Sequence, residues 1–95
     1  MEEKINVLIL GGGGREHAIA WKVCQSSSLN KLFVAPGNAG TQVVAINLDI
    51  KETDFPAIKS AIIEYNIHLL IVGPEAPLVK GIREYIESDL ETENV

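Results

Sequence analysis

The stretch INVLILGGGGREHAIAWKV, residues 5–23, decides the fold. Ile5–Leu10 is β-branched and nearly all apolar, the composition of a parallel strand buried on both faces. Gly11–Gly14 breaks it. From Arg15 to about Ser26 the pattern reads as a helix, with Ala18, Ile19, Trp21, Val23 and Cys24 on a broad apolar face and Lys22, Gln25 and Ser26 on the polar side. A buried strand followed by glycines and then a helix is the opening of an α/β unit. Four consecutive glycines are expensive, because each costs roughly 0.5–1 kcal/mol of backbone entropy relative to alanine. Their amides, at the start of a helix, make a ready site for an anion such as phosphate.

The same alternation continues downstream. Lys31–Ala35 (KLFVA) is a second short apolar strand, followed by Pro36-Gly37-Asn38-Ala39-Gly40-Thr41, a loop rich in turn formers. Val43–Ile46 is a third, weaker candidate, either a short edge strand or extended loop, because a parallel crossover normally needs a dozen or more residues. Thr53 or Asp54 can cap a helix with Pro56 in its first turn. Phe55, Ile58, Ile62 and Tyr65 form its apolar stripe, Lys59 and Glu64 face outward, and Asn66 stops it. His68–Val72 (HLLIV) reads as another strand buried on both faces, Gly73–Pro77 as its loop, and Leu78 to about Ser88 as a last helix. Strands alternating with helices predict an α/β fold, a Rossmann-like open parallel sheet with helices on both faces.

Composition narrows the function classes. The apolar fraction of 46% and charged fraction of 22% are those of an ordinary globular domain, so residues 1–95 are read as one domain. One cysteine, Cys24, excludes an internal disulfide and a cysteine-rich metal site. Five of the 13 acids (Glu84, Glu87, Asp89, Glu91 and Glu93) follow Arg83, and no base follows them. Residues 84–95 therefore read as an acidic tail, a solvated helix end followed by a frayed terminus, while the body is neutral and lacks the basic excess that favours nucleic acid. The N-terminus is acidic, and no apolar run is long enough for a signal peptide or a membrane span. A cytoplasmic location is expected.

In open parallel sheets, ligands bind beyond the carboxyl ends of the strands. The loops Gly11–Gly14, Pro36–Thr41 and Gly73–Pro77 should gather there. Arg15 strengthens the case for an anion, since a cation in the first turn opposes the helix dipole by about 0.3–1 kcal/mol unless a ligand or Glu16 offsets it. Glu75, between Pro74 and Pro77, is a stiffly held carboxylate suited to sugar hydroxyls or an amine. Asn38 tolerates the unusual backbone angles of a turn. His17 reads as solvated or bonded to nearby backbone. A Walker loop fails because Glu16 stands where its second glycine belongs. A dinucleotide G-x-G-x-x-G fails at Glu16 or His17, and no acid for a ribose ends the second strand. A dinucleotide-dependent oxidoreductase is thereby disfavoured. No nucleophile, general base or metal-ligand set is visible.

The three loops together carry a resemblance. GGGGREHA (Gly11–Ala18), APGNAGT (Ala35–Thr41) and GPEAPLVKG (Gly73–Gly81) closely resemble the amino-terminal, pre-ATP-grasp domain of the phosphoribosylamine–glycine ligase family, in the ATP-grasp superfamily, over nearly all of residues 5–83. The resemblance implies a ligase of purine biosynthesis. With ATP and Mg²⁺ (or Mn²⁺), it activates glycine as an acyl phosphate, from which the amine of 5-phosphoribosylamine displaces phosphate. It implies substrate-positioning roles here: Gly11, Gly12, Gly13, Gly14, Arg15 and Glu16 as the floor of the phosphoribosylamine site, Pro36, Gly37, Asn38, Ala39 and Gly40 as a wall, and Gly73, Pro74 and Glu75 beside them, with Glu75 on the ribose hydroxyls. Family members are several times longer, with ATP and metal bound mainly in the ATP-grasp domain. This chain is therefore expected to be a fragment lacking that domain and inactive as a ligase alone. A stand-alone phosphosugar- or nucleotide-binding module is the alternative.

Overall fold

Side chains alternate across the first strand, β1 (Ile5–Gly11): Val7 and Ile9 pack on one face, Leu8 and Leu10 on the other, and all four are buried. This period of two is what a strand at the centre of a covered sheet requires. The computed structural model describes residues 3–87, and of Glu75 and Val79 the backbone alone. Within that range β1 is flanked by β2 (Leu29–Pro36) and β4 (Leu69–Val72), and the two-residue β3 (Ile46–Asn47) lies outside β2. The order β3-β2-β1-β4 is parallel throughout, with Leu10 opposite both Ala35 and Val72.

One face is covered by α3 (Phe55–Glu64) and α5 (Ile82–Glu87), whose Ile58, Ala61, Ile62, Ile82 and Ile86 close on Leu8, Leu10, Phe33 and Ala35. The Phe33 and Tyr65 rings meet there at 4.6 Å between centroids. The other face takes α1 (Gly14–Val23), which packs Ala20 against Val7, Ile9, Leu32 and Val34, with Val44 from the short α2 (Ala39–Val44) at its margin. Helices on both faces of a parallel sheet are the predicted Rossmann-like architecture.

Local chemistry accounts for the boundaries of α3. Asp54 caps it by accepting from the Ala57 amide at 3.3 Å, Pro56 sits in its first turn, and Asn66 leaves it with φ of +52°, a left-handed conformation asparagine tolerates. The predicted stripe of Ile58 and Ile62 is its buried side.

Several expectations are corrected. α1 ends at Val23, and within it Ala20 and Glu16 are buried while Ala18 is exposed and Trp21 keeps 57% of its surface. The loop after β2 is shorter than predicted, because Asn38 caps α2 from Ala39 onward. Val43 and Val44 are therefore helical, and the third strand is only Ile46–Asn47. A six-residue helix thus makes the crossover that seemed too short. The last helix is two pieces, α4 (Glu75–Val79) and α5, broken where Gly81 adopts φ of +88°. β4 is an edge strand among the described residues, and Leu69 keeps 44% of its surface exposed, so it is not buried on both faces. Ser88 and the acidic segment 88–95 lie outside the described residues.

Candidate functional site

From β1 the chain steps through β2 to β3 on one side, then returns to place β4 on the other. The strand order therefore reverses between β1 and β4, and α1 begins at that crevice, the position where open α/β sheets bind ligands. The three predicted loops converge there through β1. The Gly37 amide donates to the Gly11 carbonyl at 3.1 Å, and the Gly73 amide donates to the Leu10 carbonyl at 3.2 Å.

Glu16 is the hub of the floor. Its side chain is almost wholly buried and accepts from the Gly13 amide at 3.2 Å, capping α1 from its third position. It fits because both strand ends beside it are glycine: a Cβ on Gly73 would stand 2.8 Å from its carboxyl carbon. Arg15 projects the other way, 67% exposed, with Nε 3.6 Å from Glu16 Oε2. Its Nη2 donates to the Gly73 carbonyl, so the guanidinium bridges the crevice from α1 to the β4 loop. A fixed positive charge thus lies beside the first-turn amides, which have no intrahelical acceptor.

The wall comes from the second loop. Asn38 Nδ2 donates to the carbonyls of Gly12 at 2.9 Å and Gly13 at 3.3 Å, welding that loop to the glycine loop. Gly12 is close-packed as well, since a Cβ there would stand 2.9 Å from the Gly37 carbonyl oxygen. Pro36 and Ala39 are exposed beside it. Gly40 lies under the imidazole of His17, whose Cε1 occupies the space a Gly40 side chain would need, so His17 serves as packing between α1 and α2. Pro74 is the N-cap residue of α4 and Glu75 its first residue, so Glu75 follows directly on the loop that Arg15 contacts.

Two glycines stand apart. A Cβ on Gly14 would meet nothing within 4 Å, and one on Gly13 only Glu16 Oε1 at an ordinary 3.5 Å. Neither has positive φ, so neither packing nor backbone conformation calls for glycine there. Sequence reasoning missed Thr41 and Asn47, which hold Asn38. The signal for Thr41 was present as Asn38-x-x-Thr41, a capping pattern. Asn47 carries none.

Fold and site together define a Rossmann-like α/β domain with a glycine-rich helix entry at its switch point. The sequence profile of the family described as phosphoribosylglycinamide synthetase, N domain, matches residues 5–93. The chain belongs to that family. Among curated proteins, it is 57% identical over 79 residues to a phosphoribosylamine–glycine ligase of Rhodopirellula baltica, covering 83% of this chain and 18% of that protein. It is 52% identical over 80 residues to that of Escherichia coli, covering 82% and 19%. It is 47% identical over 91 residues to that of Mesorhizobium japonicum, covering 96% and 20%. The chain thus spans about a fifth of the length of these relatives.

Proposed function

We propose that this domain positions 5-phosphoribosylamine in an ATP-dependent ligase that joins glycine to it in purine biosynthesis. The observation that carries the reading is the bare pair Gly13-Gly14, beside Arg15 and at the switch point, with no internal reason to be glycine. The Gly13 amide is taken by Glu16, so the donors offered at this helix start are the Gly14 and Arg15 amides, and such donors beside the Arg15 guanidinium suit a phosphate. The identities to phosphoribosylamine–glycine ligases support reading that phosphate-bearing molecule as 5-phosphoribosylamine.

In this proposal the glycine loop and Arg15 hold the phosphate, the Pro36–Gly40 segment walls the sugar, and Glu75 takes ribose hydroxyls. The domain's contribution is orientation: it presents the amine to the carbonyl carbon of glycyl phosphate, from which phosphate departs. Holding reactants in line can supply about 7–11 kcal/mol of a barrier. ATP supplies the activating phosphoryl group, and ATP and Mg²⁺ belong to the rest of the ligase. The described residues bring together no group of three or more His, Cys, Asp or Glu able to hold a metal. A cytoplasmic setting fits such a metabolic role, and no described helix is long and apolar enough to cross a membrane.

Titration with ribose 5-phosphate, followed by amide NMR, tests the reading. Saturable shifts should cluster at residues 11–16, 36–40 and 73–77. Shifts confined to other parts of the sheet, or none at millimolar sugar phosphate, would overturn it.

A further inference from the structure

We propose that Thr41 and Asn47 are positioning residues of the phosphosugar site, acting through Asn38 on the amides of the glycine loop. The inference rests on the function proposed above and adds residues to it. The Thr41 side chain is fully buried. Its Oγ1 accepts from the Asn38 amide at 2.8 Å and donates to Asn47 Oδ1 at 2.7 Å, and Asn47 Nδ2 donates to the Asn38 carbonyl at 2.8 Å. The Thr41 amide donates to Asn38 Oδ1 at 2.9 Å, which decides the orientation of the Asn38 side chain. With its backbone groups and Oδ1 engaged, Asn38 has its NH₂ group left to aim, and that group grips the Gly12 and Gly13 carbonyls.

The consequence follows from peptide geometry. In a trans peptide, C=O and N–H point in opposite directions across one plane. The Gly13 carbonyl is held jointly by Asn38 and, at 3.1 Å, by the His17 amide of α1, which turns the Gly14 N–H away from both, toward the open side of the loop. Glu16 restrains the preceding amide from the other side. Asn38 and Thr41 form the capping box of α2. The reach of Nδ2 to a separate loop, and the tie of both residues to Asn47, lie outside that box and are what an aimed donor array adds to a helix cap.

The test uses the 95-residue chain, ribose 5-phosphate as probe, and amide NMR with hydrogen exchange. Thr41→Val and Asn47→Asp should each weaken binding about tenfold, the loss of roughly one well-made hydrogen bond's worth of organisation. Both should speed exchange of the Gly13, Gly14 and Arg15 amides while leaving Leu8 and Ile9 protected. Thr41→Ser should restore both readouts. Should Thr41→Val fail to fold, Asn47→Asp still decides, since it is nearly isosteric and only half-buried. Variants that bind as tightly as the parent chain, or that lose protection throughout the sheet with affinity unchanged, would overturn the inference and leave the site standing. A parent chain that does not bind the probe would overturn the proposed function and this inference with it.

Discussion

Glu16 and Gly11 share one space: a Cβ on Gly11 would stand 2.3 Å from Glu16 Oε1, and Gly11 itself has φ of +132°. The buried carboxylate that organises the helix entry therefore depends on a residue without a side chain at the end of the central strand. The four glycines of the loop are not equivalent.

That inequivalence can be measured. Gly11→Ala should destabilise by at least about 2 kcal/mol, from backbone strain plus displacement of Glu16. Gly14→Ala, facing open space inside a helix start, should be neutral or stabilise by up to about 1 kcal/mol, yet weaken ribose 5-phosphate binding. Urea unfolding and calorimetric titration of the two variants check this. Equal stability losses would show that Gly14 has a packing role.

Removing the carboxylate should loosen the helix start. Glu16→Ala loses the acceptor for the Gly13 amide and the partner of Arg15, at a cost of about 1–3 kcal/mol. Glu16→Gln, which keeps shape and acceptor, should cost less. Thermal unfolding gives the order, and a larger loss in Gln than in Ala would contradict the capping role.

At the opposite end of β1, Asn6 is buried and ties three segments together. Its Nδ2 donates to the carbonyls of Tyr65 at 3.1 Å and Asn66 at 3.0 Å, and its Oδ1 accepts from Asn30 at 2.9 Å. Asn6→Leu should cost about 2–4 kcal/mol, since it strands those partners. It should leave sugar phosphate affinity within twofold, because the ligand end of the sheet is untouched. Parallel unfolding and binding measurements separate the two effects.

The phenol of Tyr65 is held above the usual tyrosine range by its hydrogen bond to Glu64, by the charge of that carboxylate and, least, by burial. The neutral phenol is thereby favoured in the folded chain. Its small contribution is present below the ordinary tyrosine range and lost as pH rises through the elevated value. An NMR titration of the Tyr65 ring should show the elevated midpoint, and Glu64→Gln should bring it down. An unchanged midpoint in that variant would remove Glu64 as the cause.

Much of the frame was legible in the order of residues. INVLIL, KLFVA and HLLIV stand out because strands covered on both faces need continuous apolar runs, and Ile58 and Ile62 stand out because a helix repeats its buried side. α2 was harder to see: six residues leave no room for periodicity, and only the Asn38-x-x-Thr41 cap announces it. The break at Gly81 was missed, since a helix was expected straight through it, although the glycine itself is its signal. The exposure of Trp21 and the burial of Glu16 carried no signal, because each depends on how α1 is laid on the sheet rather than on its neighbours in the chain.

The sequence by itself determined the α/β alternation, the parallel sheet and the three loops that meet at its carboxyl edge, because periodicity and turn chemistry are local properties of the chain. Only the tertiary structure decided which glycines serve packing and which stand open, and that Asn38, held by Thr41 and Asn47, reaches a loop some twenty-five residues earlier. Those outcomes depend on distances between segments remote in sequence, which are set when the helices close on the sheet.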